Sequence, residues 1–447
     1  MSNSVRLFSK RDIFKLFVPL MAELALTLMV GVIDSIMVSG VSEAAVSGVS
    51  LIDTIFQLLI YIFAAFGTGG AVVAGQYLGA KKNTEACDTA NQLVWFSAII
   101  SVGIMLLIYL VRPILLGHVF GTLSSEVYHH ANNYLLVVAL SIPALSIYES
   151  GAAIFRTMGN SKITMFLAAL MNIINFLGNT VLIYACKLEV TGSAISTVIS
   201  RYIAAAIMIG LLMGSNHILH IKKTLSYHPN KFLIRRILSI GIPNGVENGL
   251  FQAGKIILAS LVASFGTSSI AANAICQTIS SIQVIPGSAM QLVATTIIAR
   301  CIGAQDEKQA IYYNRIMIIM SYVVLLLFCG TLWFLLPIIL PWYHLSNETV
   351  ILTRQMLFVH TLAAMLIWSL SFVLPASMRA AGDVRFIMIM SIISMWIFRI
   401  GAAYFLSYPL KFGALGIWIA MLCDWMFRAI IFSFRWHSGK WKNRKII

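Results

Sequence analysis

Ten ionisable residues lie inside stretches of sequence that are otherwise apolar, and the chemistry they could supply is ion coupling. They are Glu23, Asp34, Asp53, Glu149, Glu247, Asp424, Arg201, Lys255, Arg399 and Arg428. A charge at the centre of a membrane span costs about 2.5 to 3.5 kcal/mol on insertion scales, so such residues are expected to be paired or functional. For Asp53 and Glu149 we favour a structural role, in ion pairs or near the headgroups. Even with every base paired, two acids remain, as coupling to protons or cations requires.

Asp34 is the foremost of these acids, because it is the one for which we favour a functional role over a structural one. Asp34 follows Glu23 by three helical turns, so both share a face about 16 Å apart. Asn172, Asn175 and Asn179 stand at i, i+3 and i+7 of one helix. Their amide oxygens suit Na⁺ or a protonatable carboxylate. Interhelical packing explains the stripe equally well.

The second half of the chain carries its own charged set. Asp424 and Arg428 are spaced i, i+4 and can pair along one helix. Glu247 and Lys255 are eight residues, about 12 Å, apart on a helix and need other partners. Together with Arg399, these residues are the candidates for a second-lobe site.

Prolines inside the apolar stretches are candidates for bends that change between conformations. They are Pro19, Pro143, Pro243 and Pro286. A proline kinks a helix and frees a backbone carbonyl. Pro19 is therefore a candidate for gating a cavity. Glu23 and Arg428, two of the charged residues above, are further candidates for lining or gating it.

Membrane-spanning helices must position these residues. Of 447 residues, 59% are hydrophobic and 11% charged, whereas about a quarter are charged in soluble domains. A span needs roughly 20 apolar residues, so the chain is predicted to be an all-α membrane protein with twelve transmembrane helices. The predicted spans are 14–38, 46–72, 88–111, 132–155, 163–185, 190–214, 237–263, 270–299, 311–339, 352–378, 386–408 and 412–434.

The net charge of +15 predicts an orientation for these spans. With both termini inside, 23 of the 31 Lys and Arg residues fall on the cytoplasmic side, four outside and four within spans. By the positive-inside rule, this asymmetry predicts cytoplasmic termini in a cell membrane protein. The same asymmetry explains the excess of basic residues, so a nucleic-acid partner is not needed to explain it. A linker at 215–236 and a basic tail at 435–447 hold many of these residues.

An internal repeat divides the chain into two lobes, 1–214 and 237–434, because features of the first half recur at a constant offset in the second. The matching features are Pro19 and Glu23 with Pro243 and Glu247, Gly79-Ala80 with Gly303-Ala304, Gly192 with Gly416 and, with one residue of slippage, Arg156 and Gly159 with Arg379 and Gly382. Six spans per lobe predict two six-helix lobes related by a pseudo-two-fold axis, with a substrate path that opens alternately to each side.

These motifs resemble the multidrug and toxic compound extrusion (MATE) family over nearly the whole chain. The resemblance is carried by VIDSIMVSG around Asp34, GQYLGA at 75–80, FRTMGNSK at 155–162, NFLGNTVLIY at 175–184 with the following VTGSAISTVIS, GIPNGVENG at 241–249, MRAAGD at 378–383 and FRWHSGKW at 434–441.

The resemblance implies two lobes around a V-shaped cavity and a cation site in the first lobe. Carried over residue by residue, that site falls on Asp34, Asn175, Asn179 and Thr197, which would also be the ligands of Na⁺. Many members have Asp where this chain has Asn179, so one carboxylate remains and the coupling ion, Na⁺ or H⁺, stays open. A branch of the family has a second-lobe Glu that is Phe251 here.

In the second lobe Glu247, with Asp424, is the expected substitute for that Glu. The predicted function is a secondary active antiporter that exports amphipathic, cationic compounds by alternating access. A flippase for lipid-linked precursors and a passive channel are the alternatives. Motifs such as HExxH, GxSxG and the Walker loop are absent, so no enzyme activity and no cofactor are expected. The expected partners are organic cations and the lipid bilayer, and a monomer is expected.

Overall fold

The computed structural model describes residues 6–119, 123–215, 217–222, 227–442 and 446–447. Within these ranges the chain is helical and contains no strand, so the predicted all-α membrane fold is confirmed there. Three basic residues counted on the predicted cytoplasmic side, Lys223, Arg444 and Lys445, lie outside the described residues.

The chain forms two compact units. One is Phe14–Ile242, here called the N-terminal lobe, and the other is Pro243–Ile447 together with the residues up to Ile13, here called the C-terminal lobe. The prediction placed the first residues in the N-terminal lobe. The described residues of this segment, 6–13, belong to the other unit, and two of their backbone amides are held there: Leu7 N–H donates to Gln309 Oε1 and Phe8 N–H to Tyr313 Oη, both at 2.9 Å.

Among the described residues, seven α-helices lie mainly in the N-terminal lobe. They are α1 (Lys10–Ser39), α2 (Glu43–Gly79), α3 (Asn83–Ile114), α4 (Ser125–Val138), α5 (Ile142–Met158), α6 (Ser161–Asn179) and α7 (Glu189–Leu212). Helices α3 and α6 continue as π-helical turns, Leu115–Val119 and Thr180–Ala185. A 3₁₀ turn, Ala139–Ser141, joins α4 to α5, so those two helices together form the predicted fourth span.

Nine α-helices follow in the part of the chain that the structure describes, and α8 crosses the boundary into the C-terminal lobe. They are α8 (Lys231–Ala263), α9 (Thr267–Gln283), α10 (Ile285–Gly303), α11 (Glu307–Ile339), α12 (Asn347–Leu366), α13 (Leu374–Ala380), α14 (Val384–Ile393), α15 (Ala402–Ser407) and α16 (Gly413–His437). A 3₁₀ turn at Leu340–Tyr343 and π-helical turns at Ser369–Val373 and Ser394–Gly401 complete them.

Eleven helical stretches of the described part are long and apolar enough to cross a membrane. The remaining predicted span corresponds to α8, which has 33 residues but is made more polar by Asn244, Glu247 and Lys255. Several helices extend beyond the predicted spans, since hydropathy marks only the apolar part of a helix. The predicted linker therefore ends early, at the start of α8 (Lys231), and α16 continues into the predicted tail as far as His437.

The repeat is visible in the backbone. Helices α2, α3 and α7 start at Glu43, Asn83 and Glu189, and α9, α11 and α16 start at Thr267, Glu307 and Gly413, so every pair has the offset that separates Pro19 from Pro243. The connections repeat as well, because Lys81 and Gln305 have φ of 58° and 56° and Lys187 and Lys411 have φ of 54° and 57°. Left-handed backbone at non-glycine residues is uncommon, so the shared positions reflect the internal duplication that the sequence predicted.

Small residues let α2 sit among its neighbours in the N-terminal lobe. A Cβ on Gly48 would approach Ala131 N to 2.8 Å, and one on Gly70 would approach Leu93 Cδ2 to 2.4 Å. Close helix contacts of this kind are the usual packing mode in membranes. The resulting tight bundle positions polar side chains in its interior.

Candidate functional site

Asp34 on α1 lies at the centre of the candidate site. Its side chain is buried, and one carboxylate oxygen, Oδ1, accepts a hydrogen bond of 2.6 Å from Asn179 Nδ2 on α6. Among the described residues Asp34 has no ion-pair partner within 4.0 Å. Asp34 interacts electrostatically with Arg201 and Asp53 at longer range. A buried carboxylate without a contact ion pair can be neutralised by one monovalent cation.

A chain of hydrogen bonds extends from Asp34 across two further helices. Asn179 Nδ2 is also 3.3 Å from Asn175 Oδ1, and Asn175 Nδ2 donates to Thr197 Oγ1 on α7 at 3.1 Å. The backbone carbonyl of Asn175 accepts from Ser196 Oγ at 2.7 Å, which fixes the facing helices. The structure therefore brings together all four residues of the predicted first-lobe quartet, although their role in coupling stays a prediction.

The third asparagine of the stripe has another environment. Asn172 Nδ2 donates to the backbone carbonyls of Leu26 and Ala168 at 3.1 and 2.9 Å. The stripe thus has two parts: Asn172 joins α6 to the backbone of α1, while Asn175 and Asn179 face the carboxylate.

The local fold around Asn179 is unusual. The helix changes to a π-helical turn at Thr180, and Gly178 lets α7 approach until a Cβ there would lie 2.4 Å from Ser196 Oγ. Tyr184, in the π-helical turn, donates its hydroxyl to the Met37 carbonyl at 3.0 Å and so ties this turn to the end of α1. π-helical turns occur frequently at functional sites. Sequence reasoning missed Tyr184, because nothing in the pattern marks a π turn.

Charged groups lie near the site without touching it. Arg201 on α7 donates to Ser141 Oγ at 2.7 Å and lies 5.0 Å from the centre of the Phe56 ring. Asp53 and Glu149 interact electrostatically with Arg201, but in the described part of the chain neither forms an ion pair within 4.0 Å. The contact ion pairs expected for these two acids are therefore not formed.

Glu23 and Glu247, one in each lobe, are ion-paired with arginines that the sequence placed in connections. Arg156 Nη1 is 3.1 Å from Glu23 Oε1, and Arg379 Nη2 is 2.8 Å from Glu247 Oε2. Thr164 also donates its hydroxyl to Glu23. The count of bases within spans was wrong in this respect: α5 and α13 include both arginines, so their partners do not come from the four bases predicted inside the membrane.

Asp424 in the C-terminal lobe accepts from two arginines. Arg428 Nε is 2.9 Å from Oδ1, as the i, i+4 spacing predicted, and Arg399 Nη1 is 3.3 Å from Oδ2. Ser394 donates to the same carboxylate. The two second-lobe carboxylates proposed for a cation, Glu247 and Asp424, are thus each ion-paired with arginine. Within the described residues, the two do not come together in a site of neutral donors like that of Asp34.

The four in-span prolines fall into two groups. Pro19 and Pro243 lie inside α1 and α8, where they can bend continuous helices. Pro143 and Pro286 lie in the first turns of α5 and α10, just after a 3₁₀ turn or a break in the helix. A proline is tolerated in the first turn, so the latter two mark helix starts within a span.

The chain is similar to known membrane transporters. A family model described as MatE matches residues 19–181 and 243–405, two segments that begin at the matching prolines of the repeat. The chain is 29% identical to the uncharacterized transporter YisQ of Bacillus subtilis, over 96% of this chain and 94% of that protein. It is 24% identical to the probable multidrug resistance protein NorM of Thermotoga maritima, over 98% of this chain and 94% of that protein.

A solved structure shares the fold. It is an outward-facing conformation of a multidrug resistance MATE family transporter of the MOP superfamily, with a TM-score of 0.89 at 19% identity over 97% of this chain and 96% of that chain.

Proposed function

The chain belongs to the MatE family of multi-span membrane transporters, as its motifs predicted, and we propose that it is a secondary active antiporter that exports amphipathic organic cations in exchange for Na⁺ or H⁺. The observation that carries the proposal is the hydrogen-bonded chain from Asp34 through Asn179 and Asn175 to Thr197. Transporters of this family are not enzymes, and the chemistry of this site is ion binding.

The donors around Asp34 fit a small hard cation. Asn179 Oδ1 is buried and has no hydrogen-bond partner, so it is available to an ion at the carboxylate. Carboxylate, amide and hydroxyl oxygens are the ligands that hard cations prefer. Asp34, Asn175, Asn179 and Thr197 would hold Na⁺, whereas a proton would need Asp34 alone. Either ion cancels the single formal charge of the site.

Coupling follows if the ion and the substrate favour different conformations. Binding of a cation at Asp34 removes a buried charge and changes how α1 is held against α6. The inferred consequence is a bend of α1 near Pro19 that lowers the affinity for substrate on the outer side. By linkage, the ion can drive export only to the extent that it binds the two conformations with different affinities.

The cell membrane, with both termini in the cytoplasm, is the proposed location. The support is the distribution of 23 basic residues on one predicted side against four on the other. A monomer is proposed as the transporting unit, with organic cations and the bilayer as its partners and Na⁺ or H⁺ in place of a cofactor.

Purified protein in proteoliposomes tests this function. A cationic dye should accumulate against its gradient when a Na⁺ or pH gradient is imposed, and collapse of that gradient should release it. A passive pore equilibrates the dye without accumulation, and a lipid flippase ignores it. Failure of both gradients to drive accumulation contradicts the antiporter proposal.

A further inference from the structure

Three cationic side chains surround one aromatic ring inside the C-terminal lobe. Lys255 Nζ lies 5.4 Å from the centre of the Phe251 ring, and the Cζ atoms of Arg399 and Arg428 each lie 5.3 Å from it. All three distances are within the range of cation–π attraction. The cations come from α8, from the π-helical turn Ser394–Gly401 and from α16, so the fold converges them from three segments.

Close packing produces this convergence. A Cβ on Gly254, the residue before Lys255, would lie 2.1 Å from Met395 Cε. The absence of a side chain at this position brings α8 against the π-helical turn that carries Arg399. A larger residue would separate the two segments and open the cluster.

The cluster has more positive charge than its surroundings neutralise. Asp424 is the carboxylate that pairs with Arg399 and Arg428. The remaining acids of this lobe are engaged elsewhere: Asp12 with Ser9, Glu247 with Arg379, Asp383 with Arg435, Glu307 with Lys442, Asp306 with Gln309 and Glu348 with Ser268. Lys255 has no ion pair or hydrogen bond among the described residues. Three cations and one carboxylate leave a formal charge of +2.

Burial raises the free-energy cost of this excess positive charge. Arg428 and Arg399 are 3% and 8% exposed, and Arg399 Nε is buried without a hydrogen-bond partner. Lys255 and Phe251 are partly exposed. Cationic side chains without a counter-charge inside a membrane protein indicate a ligand path more often than a purely structural role.

We propose that Lys255, Arg399 and Arg428 bind an anionic group, a carboxylate or a phosphate, and that the transported substrate is therefore a zwitterionic amphiphile. This proposal rests on the proposed export function and refines its substrate class. Lys255 supplies unpaired ammonium donors, the guanidinium groups supply charge, and Phe251 supplies an apolar surface beside them. Charge-assisted hydrogen bonds of this kind are among the strong ones.

Two matched dyes test the charge preference without any ion gradient. One is a cationic rhodamine ethyl ester and the other is the free carboxylic acid of the same dye, which is zwitterionic. Binding is measured by fluorescence polarisation with purified protein in nanodiscs of neutral phosphatidylcholine. The acid should bind about tenfold more tightly than the ester, which corresponds to roughly 1.4 kcal/mol.

Variants test whether Lys255 causes the preference for the acid dye over the ester dye. Lys255→Gln should remove it, and an unchanged midpoint of thermal unfolding in nanodiscs shows that the variant is folded. Lys255→Arg should retain it, and Lys308→Gln, which changes a lysine of α11 outside the cluster, should have no effect. Equal or absent binding of both dyes by the native protein overturns the proposal. A preference that survives Lys255→Gln overturns it as well.

A lipid arm distinguishes the source of the anion. Phosphatidylglycerol added to the nanodiscs should weaken binding of the acid dye in the native protein but not in Lys255→Gln if a lipid headgroup also occupies the cluster. No effect of the anionic lipid supports the substrate as the sole source. Because neither arm uses a gradient, failure here is distinct from failure of antiport.

Discussion

Glu23 and Arg156 form a buried ion pair between α1 and α5, with 3.1 Å between Oε1 and Nη1. Glu247, the counterpart of Glu23 in the repeat, forms the corresponding pair with Arg379 at 2.8 Å. Each glutamate follows the proline of its helix by one turn, so each ion pair holds its helix close to that proline. Asp34, towards the other end of α1, has no such ion pair among the described residues and accepts a hydrogen bond from Asn179 instead.

Glu23→Gln should destabilise the N-terminal lobe. The substitution leaves Arg156 partly buried without its counter-charge, and breaking a buried pair on one side typically costs about 3 to 5 kcal/mol. The midpoint of thermal unfolding of the detergent-purified protein should fall by several degrees. Glu85→Gln, at an exposed position in the first turn of α3, should change it little.

Replacing both Glu23 and Arg156 distinguishes the effect of an unpaired charge on stability from the effect of lost packing. A double variant with Met at positions 23 and 156 should recover much of the lost stability, because no unpaired charge remains. If the single and double variants unfold at the same temperature, the ion pair is not what holds α1 to α5.

Asn179→Ala should weaken coupling more than Asn172→Ala. Asn179 donates to the Asp34 carboxylate, whereas Asn172 donates only to backbone carbonyls. The concentration of Na⁺ or H⁺ that gives half-maximal dye export should change at least tenfold in the first variant, equivalent to about 1.4 kcal/mol, and by far less in the second. Equal effects would assign the whole stripe to helix packing.

Thr197→Val should reduce export while Thr197→Ser preserves it. Valine keeps the shape of threonine but removes the hydroxyl that accepts from Asn175, a loss of about 0.5 to 1.5 kcal/mol for a neutral hydrogen bond. Thr180→Val, which removes a hydroxyl bonded only to the Phe176 carbonyl, is the matched control. The measurement is the initial rate of gradient-driven dye accumulation. A valine variant as active as the serine variant would remove Thr197 from the site.

Periodicity and composition predicted much of the fold, because span length and the internal repeat depend on local sequence. The stripe spacing placed Asn175 and Asn179 on one helix, but only the family resemblance joined them to Asp34 and Thr197. Long-range pairing escaped prediction: Arg156 and Arg379 looked like connection residues since each stands close to a glycine turn.

Backbone irregularities were also invisible to the pattern. The π-helical turn that begins at Thr180 has no signal in the hydropathy of the sequence. The same holds for Tyr184, whose hydroxyl reaches the Met37 carbonyl across that turn.

The most direct test of the account compares native protein with Asp34→Asn in proteoliposomes under an imposed Na⁺ or pH gradient. Asparagine preserves the size of the side chain and removes the single charge of the site, so the variant should fold, as judged by its thermal unfolding, and should lose gradient-driven dye accumulation. Asp88→Asn, which affects only an exposed pair with Lys222, should accumulate dye normally. Full accumulation by Asp34→Asn would contradict the claim that Asp34 couples ion movement to export.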